Sequence, residues 1–514
     1  NMRVSTNGGL VTENWFDLNA SRYTASSTLQ RMELLKTGYM GTLSLGWDNY
    51  LFLELTGRQE RSSTLKDQSF FYPSANLSFL FSNAFRMPAW WNHGKLRLSY
   101  GVVGNAPETY AANIIYEQGS DNGFTWNYVP SSWGNANIRP EKKYEYEIGF
   151  ESKFLNNRLG FDVSYYNNRV KDQILSTPQP STSGVKYVLM NVGEVANEGW
   201  DISVSATPVL TKNFRWDLTA NYGIYRNKVV KLADGVPYLE ISNIGGGGAK
   251  IQAVEGRPMG DIYVQVPQMN ENGEYLVSDK GLYMNQTELQ RVGNINPDGV
   301  GGLFSSFSYK NIFLDFSIDF RIGGDVINEM YQYSTASGLT PESLQFRDTE
   351  HGGLSYYYPG NNNASGVPVQ VDPSLGAGPN GETVYHDGVI LPGVVASTGE
   401  KNTRIIPAGY YYNQTYNWGT QPEQLTYRHS VFDNSYVKLR ELTIGYQFPE
   451  KLISKLGMTR LSVSVFGRNL FYFYKALKNY DAESSVGTSW ASQAVVGGST
   501  TATRNFGVSL RASF

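Results

Sequence analysis

The chain has 514 residues, a formal net charge of -3, no cysteine, 14% aromatic residues and 17% charged residues. The near-neutral charge argues against a nucleic-acid-binding protein, which carries a basic surface, and the lack of cysteine excludes disulfide scaffolds and cysteine-ligated metal sites. No segment approaches the roughly 18 consecutive apolar residues of a transmembrane helix, and residues 1–6 lack the apolar region of a signal peptide.

The predicted elements are β-strands, because apolar and polar side chains alternate with a period of two along much of the chain. The alternation changes phase between Leu439 and Leu442, which predicts a β-bulge near Arg440 and Glu441. About thirteen strands are predicted in all, near 36–47, 49–60, 70–83, 94–104, 142–154, 158–174, 197–207, 213–230, 301–310, 312–323, 434–448, 459–471 and 503–514.

The connections between these strands alternate between short and long. Outer-membrane barrels have short periplasmic turns, long extracellular loops and aromatic girdles at the strand ends. Aromatic residues recur at the predicted strand ends, for example Tyr39 with Trp47 and Phe71 with Phe81. These features predict an all-β chain folded as a transmembrane antiparallel β-barrel. Its long extracellular loops are expected at about 105–141, 175–196, 231–300, 324–433 and 472–502.

The odd number of predicted strands bears on how the chain fits into a barrel. Bacterial single-chain barrels have an even number of strands, with both ends on the periplasmic side. Counting back from a last strand that descends to the periplasm makes the first strand descend as well. Residues 1–35 are therefore predicted to be the end of an extracellular loop, and residues 36–514 the C-terminal part of the barrel. Because lipid does not tolerate an open sheet edge, we expect about nine further strands on a preceding segment or a separate polypeptide.

The polar side chains of the alternating strands predict a hydrated lumen, because a wide barrel is not filled by its own side chains. A wet interior surface alone would give the same pattern, so it does not by itself establish a transport path. The residues predicted to line the lumen are Arg97, Glu145, Glu147, Asp217, Asp315, Asp319, Arg321, Arg468 and Arg511.

Six motifs occur in order along the chain: SFFYPSANL at 69–77, KLRLSYGVVGN at 95–105, NEGWD at 197–201, NPDGVGG at 296–302, SYVKLREL at 435–442, and GRNL at 467–470 followed by YDAE at 480–483. The ordered set resembles the SusC/RagA-type TonB-dependent transporters of Bacteroidetes outer membranes. Ala482 departs from that family's pattern, which usually has proline at this position.

The resemblance implies an integral outer-membrane barrel of about twenty-two strands, of which this chain supplies the C-terminal part. It implies TonB-dependent import of an oligomeric nutrient, a glycan or a peptide, with a SusD-like surface lipoprotein as a lid. It also implies an N-terminal plug and a TonB-contacting segment, neither of which is present in this chain. The expected partners are therefore outer-membrane lipid, the lipoprotein, the missing N-terminal segment and, through that segment, TonB.

Aromatic clusters in the predicted outer loops are candidates for contact with an oligosaccharide or peptide substrate. Sugar rings stack on aromatic faces, and aromatic side chains also anchor protein partners. Packing of one loop on another would explain the same clusters. The candidate substrate-binding residues are Trp126, Tyr128, Trp133, Tyr410, Tyr411, Tyr412 and Trp418.

The sequence contains no catalytic constellation that we would assign. The four histidines lack metal-ligand spacing, and the nucleophile and metalloprotease motifs are absent. We therefore expect no enzymatic activity, no metal and no cofactor. Residues 270–274 (NENGE) lack the spacing of a calcium-binding loop and are predicted to form the tip of a β-hairpin.

Two other functions remain open at this point. A passive porin, or a structural or export barrel, would show the same strands and loops. A soluble β-rich surface enzyme or adhesin would share the alternation of apolar and polar residues. Loops carry specificity, so the identity of a substrate is not predicted.

Overall fold

The computed structural model describes residues 2–29, 31–65, 69–121, 124–417, 423, 426–498 and 500–514. Within these residues, thirteen strands form one antiparallel sheet, in which spatial order follows chain order. All the predicted strands are present, which confirms the all-β, antiparallel prediction. The strands are β1 (Lys36–Trp47), β2 (Leu51–Ser62), β3 (Ser69–Phe79), β4 (Trp91–Asn105), β5 (Glu141–Phe154), β6 (Leu159–Lys171), β7 (Glu194–Leu210), β8 (Phe214–Lys231), β9 (Gly299–Tyr309), β10 (Ile312–Ile322), β11 (Tyr436–Gln447), β12 (Arg460–Lys475) and β13 (Asn505–Ser513).

The pairing register divides this sheet into two chemically different faces. Arg97 lies opposite Gly149, Gly149 lies opposite Ser164, and Ser164 lies opposite Asp201. Side chains of directly paired residues point to the same side of a sheet. Following the pairs across all the strands shows that the residues predicted to line the lumen share one side, which we call the polar face.

The opposite side, which we call the apolar face, carries large hydrophobic side chains that are not covered. Ile148 is 48% exposed, Ile444 is 54% exposed and Val508 is 72% exposed. Exposed apolar surface of this extent marks a surface that meets another apolar phase or partner. On a barrel strand, that phase is lipid.

The predicted β-bulge is present in β11. Between Leu439 and Glu441 the pairing with β10 shifts by one residue, so Arg440 is the additional residue. The extra residue corrects the phase of the alternation, which is why the apolar residues before and after it lie on the same face. It also directs Arg440 to the polar face, where the guanidinium Nε donates to Asp319 Oδ1 at 3.2 Å.

Tight turns join the strands at one end of the sheet. Asp48 and Asn49, between β1 and β2, have φ angles of 47° and 57°. Asn and Asp tolerate this left-handed conformation better than other non-glycine residues, and the twist of such a turn suits a hairpin. The helices in the described residues are α1 (Phe81–Ala84), α2 (Glu329–Ala336), α3 (Ala408–Tyr416) and α4 (Glu450–Ile453). None of them is long and apolar enough to cross a membrane.

The long connections contain small sheets of their own rather than irregular chain alone. Their longer strands are Glu117–Asp121, Phe124–Tyr128, Ile174–Pro178, Tyr187–Asn191, Tyr238–Ile244, Ala249–Val254, Asp261–Val264, Gln290–Asn294, Asp325–Asn328, Leu354–Tyr357 and Val384–Val389. Shorter strands are Ser132–Trp133, Leu276–Val277, Val369–Gln370, Val394–Val395, Ile406–Pro407, Val431–Asp433 and Val495–Val496.

Three of the long loops share one hydrophobic core. Ile251 and Ile262 come from the loop between β8 and β9, Ile327 from the loop between β10 and β11, and Val495 from the loop between β12 and β13. All are 3% exposed or less. The parallel pairing of Ile327 with Val495 joins two of the loops directly. These long loops therefore form a packed cap, and much of the buried apolar surface lies there rather than in the sheet.

Two local features complete the fold. Residues 270–274 form a hairpin tip, in which the Asn270 N–H donates to the Glu274 carbonyl at 2.9 Å, as predicted. Ahead of the sheet, strands Met2–Leu10 and Ser21–Leu29 pair with each other as a separate antiparallel hairpin. This hairpin within residues 1–35 was not expected from the sequence.

Candidate functional site

The polar face contains an ion-pair network centred on Arg97. Its Nη2 atom lies 2.6 Å from Asp162 Oδ1 and its Nη1 atom lies 3.5 Å from Glu151 Oε2. The three residues belong to three adjacent strands, so the network crosses the ladder of main-chain hydrogen bonds. A β-carbon at Gly149 would lie 2.7 Å from Arg97 Nη2, so the glycine leaves room for the guanidinium to lie across β5.

A second network joins the polar face to the last outer loop. The guanidinium of Arg440 donates to both carboxylate oxygens of Glu483, at 2.6 and 2.9 Å, and also contacts Asp319. The ammonium group of Lys438, whose side chain is only 2% exposed, contacts Glu483 as well. Asn469 accepts a hydrogen bond from Arg440 at 3.0 Å. The motif segments 435–442, 467–470 and 480–483 therefore meet at one place.

Asp481 fixes the same loop through a different set of bonds. It accepts a 2.5 Å hydrogen bond from the Tyr472 hydroxyl and further bonds from the backbone N–H groups of Glu483 and Ala502. Burial acts to raise the pKa of Asp481, but these hydrogen bonds stabilise the carboxylate and hold its pKa below the ordinary value. The start and the end of the last loop are thus tied together beside β12.

A groove of about 770 Å³, which we call the wall groove, runs along the polar face. Arg321 at its upper end donates to the carbonyls of Ile295 and Gly323, and so connects the sheet to the cap. Among the described residues, Asp201 in this groove forms no ion pair, so its carboxylate stays open to solvent. The polar residues that line the groove are Asp162, Ser164, Asp201, Ser203, Asn221, Tyr222, Asp319, Arg321 and Tyr436.

The remaining predicted lumen residues lie along the polar face outside the two networks. Asp217 pairs with Arg215 at 2.5 Å, Arg468 with Glu441 at 2.8 Å, and Glu145 with Lys143 at 2.6 Å. Glu147 and Glu145 line a second hollow of about 600 Å³ beside the wall groove. Asp315 accepts a hydrogen bond from Ser306 at 2.6 Å, and Arg511 lies on the last strand. Within the part of the chain that is described, no cluster of His, Asp or Glu has the arrangement of a metal site.

Sequence reasoning missed the residues that attach the last loop, namely Lys438, Arg440 and Glu483. Two signals could have found them. A charged residue at a predicted bulge is free to leave the strand's alternation, and the motif at 480–483 places two carboxylates close together in a loop. Arg440 and Lys438 are 43 and 45 residues away from Glu483 in the chain. Their contact with Glu483 could therefore be recognised only in the three-dimensional structure.

The aromatic candidates of the loop between β4 and β5 are partly accessible. Trp126 is 47% exposed and Tyr128 is 44% exposed. They stand two residues apart in one strand of the hairpin formed by Glu117–Asp121 and Phe124–Tyr128, so they share a face. Trp133 is less exposed, and its indole N–H is buried with no hydrogen-bond partner among the described residues. These three residues remain predicted substrate contacts.

The second aromatic cluster is mostly packed inside the cap. Tyr412 is only 6% exposed, and its hydroxyl donates to the Glu342 carbonyl at 2.8 Å. Burial raises the pKa of Tyr411 to about 12. The predicted substrate contact by Tyr412 is therefore corrected to packing inside the cap, whereas contacts by the half-buried Tyr411 and by Tyr410, which is 36% exposed, remain predictions. Trp418 lies outside the described residues.

Comparisons with known proteins agree with this architecture. The family described as "TonB dependent receptor-like, beta-barrel" matches residues 5–262. The chain is 22% identical over 494 residues to the TonB-dependent receptor P3 of Formosa agariphila, covering 87% of this chain and 42% of that protein. It is 27% identical over 256 residues to the TonB-dependent receptor SusC of Bacteroides thetaiotaomicron, covering 44% of this chain and 24% of that protein.

A solved structure, that of the RagAB peptide transporter, shares the fold. It superposes with a TM-score of 0.70 at 18% identity, covering 98% of this chain and 50% of that chain. The chain thus spans half or less of the length of these relatives and of this structural neighbour.

Proposed function

Because the chain belongs to the TonB-dependent receptor β-barrel family, we propose that it forms wall and outer loops of an importer for oligomeric nutrients, either glycans or peptides. The family consists of outer-membrane receptors and transporters and not of enzymes, and the chain is an integral outer-membrane protein. Family membership establishes the barrel and its location, and the import of oligomers is what we propose in addition.

The observation that carries the proposal is the wall groove under the packed cap. Polar side chains on the same face of neighbouring strands, among them Asp162, Ser164 and Asp201, line the groove, and carboxylates such as Asp201 are left without ion-pair partners among the described residues. A polar wall can exchange hydrogen bonds with a hydrated oligomer that passes along it.

The proposal includes partners that this chain does not contain. We propose that residues 1–35 belong to an outer loop, that residues 36–514 are the C-terminal part of a barrel, and that a plug and a TonB-contacting segment are contributed by sequence outside this chain. A SusD-like lipoprotein is the proposed lid over the cap. The exposed side chains of Trp126 and Tyr128 support a role of the outer loops in contacts with such a partner or with substrate.

The structural neighbour RagAB is a peptide transporter, which supports peptides as one class of cargo, and glycans are the alternative class. The test is the uptake of fluorescently labelled oligopeptides and oligosaccharides by cells with and without the gene, each in the presence and absence of TonB. We expect that at least one class of oligomer enters only when both the gene and TonB are present.

Two results would contradict the proposal. If the deletion strain takes up every labelled oligomer at the rate of its parent, the protein is not their importer. If uptake requires the gene but continues without TonB, the protein is a passive porin instead.

A further inference from the structure

An apolar pocket of about 330 Å³ lies where the upper ends of β7 and β8 meet the outer loops. Its floor contains Val195 and Val229, which pair with each other one step above the paired Asn197 and Asn227 of the polar face. Val229 is 1% exposed and Val195 is 6% exposed. The pocket therefore lies on the same side of the sheet as the polar face, where the sheet meets the cap, and its side chains are aliphatic rather than polar.

The walls of the pocket come from three outer loops. The loop between β6 and β7 contributes Leu175, the loop between β8 and β9 contributes Leu239, Ile241 and Met259, and the last loop contributes Trp490. The charged groups at its rim are already paired, since Lys250 lies 2.6 Å from Glu240 and Lys231 lies 3.3 Å from Asp234.

Trp490 is held in a fixed orientation at the edge of this pocket. Its indole N–H donates to Asn296 Oδ1 at 3.2 Å. A β-carbon at Gly260, where φ is +94°, would lie 2.9 Å from the ring, so the ring rests on bare main chain. A ring fixed in this way gives the pocket a rigid wall rather than a side chain free to collapse into the space.

The chemistry of the lining selects the group that could occupy the pocket. The side chains that line it are aliphatic apart from Trp490 and a few polar groups at the rim. The hydroxyl groups of a sugar would lose water there without gaining hydrogen bonds, which costs free energy. An aliphatic side chain would gain free energy from the same burial.

Two strand edges border the pocket and supply main-chain hydrogen-bonding groups. Ile174–Pro178, which carries Leu175, is an outer strand of its three-stranded sheet, and Tyr238–Ile244, which carries Leu239 and Ile241, is an outer strand of its four-stranded sheet. An outer strand leaves one row of N–H and C=O groups available to an added strand. Extended peptides bind such edges and place alternate side chains in pockets.

We propose that this pocket takes an aliphatic side chain of an extended peptide, whose main chain adds to the edge of Tyr238–Ile244. The inference rests on the proposed import function and narrows its cargo to peptides with apolar side chains. The peptide's amide groups match the strand edge, and its side chain matches the lining, whereas an acylated sugar would match only the lining.

The test compares two soluble peptides that differ in one residue. Acetyl-Gly-Ser-Gly-Leu-Gly-Ser-Gly-amide and its counterpart with serine in place of leucine are titrated into the purified full-length protein, with binding followed by calorimetry. Burial of one leucine side chain predicts about tenfold or tighter binding of the leucine peptide. Equal affinity for the two peptides would overturn the proposal.

Matched variants locate the effect. Leu239→Trp fills the pocket, whereas Tyr238→Trp changes the adjacent residue of the same strand, which is 43% exposed and points away. The preference for leucine is expected to vanish in the first variant and to persist in the second. Val229→Thr keeps the shape of the floor but adds a hydroxyl group, and should weaken leucine binding several-fold. If Val229→Thr and Leu239→Trp both retain the full preference, the peptide binds elsewhere.

Three further outcomes test the strand-edge part of this inference and separate the inference from the proposed function. If a butyrylated oligosaccharide competes with the leucine peptide as strongly as the peptide itself, the strand-edge part of the inference is wrong. If labelled oligomers enter only with the gene and TonB, yet the leucine preference is absent, the import function stands and the pocket assignment fails. If the leucine preference is present but uptake does not depend on the gene, the import proposal fails while the pocket remains.

Discussion

Arg440 donates two hydrogen bonds from its guanidinium to the carboxylate of Glu483, at 2.6 and 2.9 Å. The arginine is the bulged residue of β11 and the glutamate belongs to the loop between β12 and β13. A bidentate pair of this kind fixes geometry as well as charge. The bulge therefore has a structural consequence, because it places a cation where the last outer loop must attach.

The first prediction concerns that attachment. Arg440→Met removes the cation and leaves Asp319 and Glu483 without their shared partner, although Glu483 keeps its contact with Lys438. We expect the last loop to detach from the polar face, with faster cleavage within 484–498 by added protease. Because Arg440 is one third exposed, the expected loss is about 1–3 kcal/mol rather than the full cost of a broken buried pair.

Arg468→Met is the matched control for this prediction. Arg468 also lies on the polar face and pairs with Glu441, but its side chain is 56% exposed and it makes no contact with the last loop among the described residues. Its cleavage pattern should equal that of the parent protein. Equal cleavage of Arg440→Met and the parent would show that the pair does not hold the loop.

A second prediction concerns two glycines of the polar face. A β-carbon at Gly199 would lie 2.4 Å from the Ile224 carbonyl oxygen and 2.3 Å from the Tyr166 hydroxyl, whereas at Gly101 the nearest atom is Ser74 Cβ at 3.8 Å. The main-chain carbonyl cannot move without disturbing the pairing of β7 and β8. Gly199→Ala should therefore destabilise the sheet by about 1–3 kcal/mol, and Gly101→Ala should be tolerated.

The measurement for the glycine pair is a gel assay of heat-modifiable migration. Samples are heated to a series of temperatures before electrophoresis, and the temperature at which the folded band disappears is recorded. Gly199→Ala is expected to lower this temperature and Gly101→Ala to leave it close to that of the parent. The same temperature for both variants would mean that the sheet can relax around Gly199, and that the Ile224 carbonyl does not limit the side chain at this position.

A third prediction follows from the lowered pKa of Asp481. A carboxyl group whose pKa is lower in the folded protein than in the unfolded chain stabilises the folded state above the unfolded pKa, about 3.9. That contribution is lost as the pH falls through the folded pKa. We expect residues 476–504 to exchange amide hydrogens faster as the pH is lowered below about 4, after correction for the intrinsic rate.

Asp481→Asn is the control for the pH effect. It removes one titrating carboxylate but keeps the side-chain size, so exchange in the last loop should be faster at neutral pH. The further increase on acidification should be smaller than in the parent protein, because only Glu483, whose pKa is also lowered, still titrates there. A corrected exchange rate in the parent protein that stays constant between neutral pH and pH 3 would contradict the role of Asp481.

The sheet could be predicted from the sequence because its information is local. Alternation along each strand defines which residues share a face, and a single change of phase located the bulge at Arg440. Each face of a strand meets a single environment, so every second residue has similar polarity. The apolar Ile148 and the charged Glu147 can therefore be assigned to opposite faces from their residue types alone.

The cap could not be predicted in the same way. Its core joins Ile251, Ile327 and Val495 from three loops far apart in the chain, and its strands are mostly short. Short strands carry too few alternating positions to be recognised, and their pairing depends on which loops meet. For the same reason, the sequence suggested that Tyr412 is accessible, whereas its position on α3 directs its side chain into the interior of the cap.

The measurement that tests the central claim most directly uses the absence of cysteine from the chain. Ile148→Cys and Glu147→Cys, made separately in the full-length protein with any cysteine outside this chain replaced by serine, place a fluorescent label on adjacent residues of β5 that point to opposite faces. In vesicles that contain brominated lipid, which quenches on contact, the account predicts strong quenching of the label at 148 and little at 147. Equal quenching at both positions, or quenching at 147 alone, would contradict a sheet whose apolar face meets lipid and whose polar face lines the transport path.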